Sequence, residues 1–401
     1  MYSLVSVFLL KGIGGFVFIA LNLHLAKVLS LQDYGVISLA FSLITMMIWT
    51  SKFGQGVILT RDTKRYSKHG DILFANSYKF TFLNSLLITF LCYLIFILFN
   101  FYGLDPYQIR AFSVMIASII PQSILILYCD RFRGEMNPLK SIAFQNVSIY
   151  LPLIIVILVF NITDLIAVAV LYLINVCIVV IILNITADNP KKIFKISTVS
   201  RYKKNISNGK SFYLTSAISS INIFISSSVL AAYSEMESVG SVSAILKYAS
   251  ILSFVLIAVN TVYSPKIAKA FYDGDLPYIK NLYSKTTIYF ILISMGFIFI
   301  SYLCRMVVLS YFSIPDSAFT TFMILILAIS VNVSFGPTGM VLTMTGHEKS
   351  LRKYVFYSCI VNLVLSALLI PKFGMIGFAL SYLVNVCMVN VLSFKKVAGI
   401  L

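Results

Sequence analysis

Twelve apolar stretches follow one another along this chain, at approximately 4–26, 35–59, 77–100, 108–129, 141–160, 163–185, 211–233, 239–263, 286–304, 317–336, 354–371 and 374–394. Crossing the hydrocarbon of a bilayer as a helix takes about 20 apolar residues. Each stretch is of that order, and only short connections remain between them. Hydrophobic residues make up 59% of the chain and charged residues 11%, against roughly 45–50% and 25% in a soluble domain. The expected fold class is all-α, a polytopic membrane protein with about twelve transmembrane helices.

A formal net charge of +17 in a soluble protein would point to nucleic acid. The spans exclude a nuclease or nucleic-acid binder, and the placement of the charge points to topology instead. The longest interval that no span uses, Asp188 to Lys210, holds Lys191, Lys192, Lys195, Arg201, Lys203, Lys204 and Lys210. Basic residues near span ends resist translocation, so this interval is expected in the cytoplasm. Twelve spans then put both termini inside, with 24 of the 31 basic residues in inner connections. The outer connections hold only Lys27, Arg110, Arg305 and Lys372. The expected organisation is an N-terminal six-helix lobe (1–190), a basic cytoplasmic linker (191–210) and a C-terminal six-helix lobe (211–401). Gly35 to Tyr66 and Gly240 to Phe271 echo each other, each running from a glycine through an apolar span into a basic connection. An even number of spans per half fits parallel repeats. Outer connections are short, such as Asn161 to Asp164, which leaves no room for a periplasmic or soluble catalytic domain. No removable signal peptide is expected. The six scattered cysteines give no disulfide framework or metal site, and no cofactor is expected.

Three cations fall well inside spans, away from the first turn: Lys11, Lys52 and Lys247. Each costs about 2.5–3.5 kcal/mol at a lipid-facing mid-span position. Their companions at helical spacing are small or polar. Lys247 shares a face with Gly240, Ser243 and Ser250; Lys52 with Ser38, Ser42, Thr45, Trp49 and Gly56; Lys11 with Gly15, Phe18 and Asn22. Such faces point inward, although Lys11 and Lys52 also lie close enough to span ends to snorkel. All fourteen acids fall in or at the edge of connections. Lysines without mid-span acids favour an anionic cargo, and phosphate is the anion that a point-charge ammonium commonly recognises. In the seventh span, Ser216, Ser220 and Ser227 line one side, with Ser219, Asn222 and Ser226 beside them. Hydroxyls like these glue helices together or face water. Pro121, Pro152 and Pro337 are candidate bends.

The stretch Gly336 to Leu383 resembles the polysaccharide exporters of the multidrug, oligosaccharidyl-lipid and polysaccharide exporter superfamily. The distinguishing pieces are Pro337 with Leu342 and Thr345–Gly346 before a basic turn, then Ile370–Pro371–Lys372–Phe373–Gly374 and Ile376–Gly377. Leu25–Ala26–Lys27–Val28–Leu29 with Asp33–Tyr34–Gly35, Phe53–Gly54 through Arg61, Arg133–Gly134–Glu135, and Ser264–Pro265–Lys266 with Gly274–Asp275 are similar to the same pattern. Within the superfamily, the small size and basic inner surface look most like the O-antigen flippases of bacterial inner membranes. Two features depart: the first span begins almost at Met1, and Lys27 stands where the family often has arginine.

The resemblance implies two six-helix lobes alternating access around a central cavity, and no enzymatic activity. It implies a cargo of undecaprenyl-diphosphate-linked oligosaccharide, of O-antigen or capsular type, carried across the bacterial inner membrane. Its implied partners are that carrier, membrane lipids and other polysaccharide assembly proteins, with no nucleic acid. On this reading Lys247 and Lys52, with Lys11, offset the diphosphate charge, while Ser216, Ser220 and Ser243 offer hydroxyls to sugar. The rivals are a multidrug antiporter of the same superfamily, disfavoured by the missing intramembrane acid, and a polytopic polymerase or glycosyltransferase acting on polyprenyl-linked glycans, disfavoured by the short outer loops.

Overall fold

A computed structural model describes residues 4–63, 70–98, 103–186, 213, 221–222 and 224–401. Every regular element among them is helical. Ten of these helices or helix pairs are long and apolar enough to cross a membrane. The described chain runs α1 (Leu4–Val28), α2 (Leu31–Lys52), α3 (Gln55–Asp62), α4 (Gly70–Leu98), α5 (Pro106–Ala117), α6 (Ile119–Gly134), α7 (Pro138–Ile142), a π-helical turn (Ala143–Val147), α8 (Ser148–Val159) and α9 (Leu165–Thr186). After the basic interval come α10 (Phe224–Tyr233), α11 (Met236–Tyr272), α12 (Leu276–Leu303), α13 (Arg305–Tyr311), α14 (Phe319–Ser334), α15 (Thr338–Met344) and α16 (Glu348–Ala398). The 191–210 linker and most of the seventh apolar stretch lie outside the described residues.

Local chemistry explains where the helices start and break. Asp105 caps α5 by accepting from the Gln108 amide at 2.8 Å, with Pro106 in the first turn. Asp164 accepts from Ala167 N–H at 2.7 Å and Asp275 from Tyr278 N–H at 3.0 Å. Acids at span edges thus satisfy amides that have no partner within the helix. Asp105→Ala is expected to cost about 1 kcal/mol, seen as faster amide exchange over the first turn of α5. Pro121 has no N–H to return to the Ala117 carbonyl, and the span breaks between α5 and α6 at Ser118. The π turn immediately precedes the helix that carries Pro152, and Pro337 stands at the break between α14 and α15. Gly374, at φ 52°, ψ −125°, divides the 51 residues of α16 into two helices. That division falls where the sequence separates its last two apolar stretches.

By internal contacts the chain forms two compact units. The first comprises Met1–Leu21 and Val36–Phe224. At one end of it, Arg131 at the close of α6 pairs with Asp71 at the start of α4 at 3.0 Å. At the start of α5, Tyr107 donates to Asp164 at 2.6 Å and accepts from Leu165 N–H at 3.0 Å. The second unit comprises Asn22–Gly35 and Ile225–Leu401. One of its ends is an apolar cluster that includes Ile267, Ile279, Tyr283, Val341, Leu342 and Val397. This brings together two connections and the C-terminal end of α16, which alternating spans assign to one side. Elsewhere in this unit Lys27 lies over the Tyr311 ring at 4.7 Å, and Arg305 over Tyr302 at 4.7 Å.

Within the second unit the two echoing glycines meet. A Cβ on Gly35 would lie 2.2 Å from the Met236 carbonyl oxygen, and one on Gly240 would lie 1.9 Å from that of Leu31. Each glycine therefore packs against the carbonyl four residues before the other. Only a residue without a side chain permits so close an approach of two backbones.

Candidate functional site

Lys52 ends α2, where the helix C-terminus favours a cation. The helix stops there because Phe53 (φ 44°) and Gly54 (φ 79°) both take left-handed conformations. The break frees the carbonyls of Thr50 and Ser51, and Asn84 of α4 donates to both, at 3.2 and 2.9 Å. Tyr213 stacks on Phe53 with ring centroids 4.7 Å apart.

Lys52 is 1% exposed and Asp130 4%. The Lys52 ammonium donates to Asp130 Oδ2 at 2.9 Å and lies 4.3 Å from the centre of the Trp49 ring. The other carboxylate oxygen of Asp130 accepts from Arg133 at 3.0 Å. Arg133 also donates to Ser141 at 3.0 Å and to Gln145 of the π turn. Gly56 makes the room: a Cβ there would lie 2.0 Å from Asp130 Oδ2. Gly134 lets α6 reach α3, since its Cβ would meet the Leu59 carbonyl oxygen at 2.5 Å.

The network refines the sequence reading in one respect. Asp130 stands at a span edge in sequence, but its carboxylate turns into the protein, where it lies between two cations. The signal available was the Gly56 and Gly134 pair together with the spacing Asp130, Arg133, which places both charges on one helical face. Sequence reading missed Gln145 and the π turn.

Of the other predicted residues in this unit, Lys11 lies on α1 with its side chain exposed. One turn further along that helix, Gly14 packs against the π turn: a Cβ on it would lie 2.7 Å from the Cβ of Asn146. Ser216 and Ser220 lie outside the described residues. Ser42 and Thr45, expected on the Lys52 face, turn back to the Leu39 and Phe41 carbonyls of their own helix.

In the second unit Lys247 is half-buried midway along the apolar span Met236–Ile257, with Ser243 one turn before it on α11. Ser250 donates to the Lys247 carbonyl at 2.7 Å. Lys247 and Ser243 thus share a helix face, as their spacing requires. A separate buried network joins α10 to both parts of α16. Asn362 donates to Ser226 at 2.7 Å, Ser226 meets Ser366 at 3.2 Å, and Ser366 donates to Ser381 at 3.2 Å. With Ser226 at 3% exposure, its hydroxyl glues helices rather than facing water.

No curated protein matches the chain in sequence. Solved structures do match in fold. An inward-facing multidrug resistance transporter of the MATE family in the MOP superfamily superposes with TM-score 0.74 at 12% identity, covering 99% of this chain and 98% of the other. The lipid II flippase MurJ, in an inward closed conformation, gives 0.73 at 14% identity, covering 97% and 87%. A MOP superfamily transporter from Pyrococcus furiosus gives 0.67 at 13% identity, covering 99% and 94%. The fold of this chain is therefore that of the MOP transporters. Its residues 1–271 match the family model described as polysaccharide biosynthesis protein, and the chain belongs to that family.

Proposed function

We propose that this protein is a flippase that carries an undecaprenyl-diphosphate-linked oligosaccharide, an O-antigen or capsular repeat unit, across the bacterial inner membrane by alternating access. It acts as a transporter and not an enzyme, with both termini cytoplasmic and two lobes (1–190 and 211–401) joined by the basic linker 191–210. The observation that carries the reading is Lys247, a cation halfway along an apolar span. In lipid such a charge needs an anionic or wet surrounding, and a diphosphate passing through a hydrated interior meets both conditions. Lys52 and Lys11 offset the same charge during passage, and Ser216, Ser220 and Ser243 offer hydroxyls to sugar.

The membership in a polysaccharide family and the shared fold with a lipid II flippase support this reading. The fold alone favours drug export equally. One neighbour with this fold was described by the reverse polarity of its binding pocket, which suggested a different function for it. Pocket charge, more than fold, is therefore the discriminating property. In proteoliposomes containing the undecaprenyl-diphosphate-linked oligosaccharide, the protein is expected to make added sugar accessible to an impermeant lectin on the far side. Cationic dye accumulation should be unchanged. Dye export without sugar movement would establish the antiporter instead. Lys11→Ala is expected to slow translocation less than Lys247→Ala, because an exposed ammonium near a span end is replaced more easily by water and headgroups.

A further inference from the structure

We propose that Asp130 is a positioning residue for the cargo: an internal counter-ion that holds Lys52 in this conformation and gives it up to the incoming diphosphate. The inference rests on the cargo reading above and adds to it how one of the cations is kept ready. At 1% exposure Lys52 is closed to any anion in solution, so a role on cargo requires that its present partner be exchanged. Asp130 is suited to exchange because it is held twice. When Lys52 leaves, the carboxylate keeps Arg133 at 3.0 Å, and Arg133 keeps Ser141 and Gln145. No buried charge is stranded on either side of the step, the condition under which separating such a pair is tolerated. The trio carries one cation in excess, and that excess is what a diphosphate can satisfy.

The side chains fit the same role. A lysine is a compact point charge on a flexible stem and changes partners readily, whereas an arginine fork fixes its partner; the residue expected to move is the lysine, and the residue expected to stay is Arg133. Lys52 also stands beside the left-handed break at Phe53–Gly54. Gly56 leaves the space in which Asp130 reaches Lys52. Arg133 is gripped from the π turn, an irregularity that often marks functional positions, and the neighbouring Asn146 of that turn packs on Gly14 of α1, three residues from Lys11.

The chain has a single tryptophan, and Trp49 is the ring under the Lys52 ammonium, at 4.3 Å. Its emission therefore reports whether Lys52 is in place. The test is a titration of the full-length protein in nanodiscs with undecaprenyl diphosphate, following Trp49 fluorescence and binding together. In the wild type, binding should shift the emission. Asp130→Asn should show the shifted emission before ligand is added and bind about tenfold tighter. Gly56→Ala, which displaces the carboxylate without removing a charge, should act in the same direction and serves if Asp130→Asn does not fold. Lys52→Met should weaken binding, and adding Asp130→Asn to it should change nothing further. Wild-type binding with unaltered Trp49 emission, or variants with wild-type affinity, would overturn the exchange while leaving the cargo reading intact. Absence of binding in every variant would overturn the cargo reading and the exchange with it.

Discussion

Lys247→Ala is expected to reduce translocation of lipid-linked sugar by roughly 10- to 100-fold, the range that corresponds to a charge-assisted contact of about 1.5–3 kcal/mol. Membrane expression should be unchanged, because removing a cation from the middle of an apolar span relieves an insertion cost. Those two effects have opposite signs for folding and for transport, which makes the variant informative. Lys247→Arg keeps the charge and should retain a large part of the activity, while Lys247→Glu, which opposes the diphosphate, should retain less than alanine does. The measurement is lectin accessibility of sugar in proteoliposomes, normalised to protein amount. Full translocation by Lys247→Ala at wild-type protein level would remove this residue from the site.

The second large effect concerns the crossing of α2 and α11. Gly240→Val should destabilise the protein by about 3 kcal/mol, the upper part of the range for an overpacked contact. The Cβ would sit 1.9 Å from a backbone oxygen, and backbone cannot step aside as a flexible side chain can. Gly35→Val meets the Met236 carbonyl in the same way, at 2.2 Å. The two substitutions act on one helix crossing, so the double variant should cost much less than the sum of the singles. Gly296→Ala is the control: nothing lies within 4 Å of its added Cβ, and the melting temperature in detergent should stay level or rise. Equal melting temperatures for Gly240→Val and Gly296→Ala would show that the crossing tolerates separation.

Much of this architecture was legible in the residues. Apolar stretches of about 20 residues dictate spans. The acids at span edges become caps, as Asp105, Asp164 and Asp275 do. The paired glycines of the internal echo found each other. The lysine and serine of α11 share a face because spacing alone decides that. Asp130 was less legible. A carboxylate one turn from a helix end is compatible with solvent or with burial, and the choice depends on whether another helix brings a cation and leaves space. Lys52 and Gly56 do both, from a segment more than 70 residues away in the chain. The role of Ser226 was open for a similar reason: gluing and water-facing hydroxyls look alike until the partners Asn362 and Ser366 are known.

The sequence by itself determined that this chain is a bundle of apolar helices of membrane-spanning length, and that Lys11, Lys52 and Lys247 stand within its apolar stretches. These are properties of composition and short-range spacing, because hydrophobic length and capping act over a few turns. Only the tertiary structure decided how one of those charges is met: Lys52 joins Asp130 and Arg133 in a buried trio. Electrostatics in a low-dielectric interior depends on distances of a few ångströms between groups remote in sequence, and no local pattern carries that information.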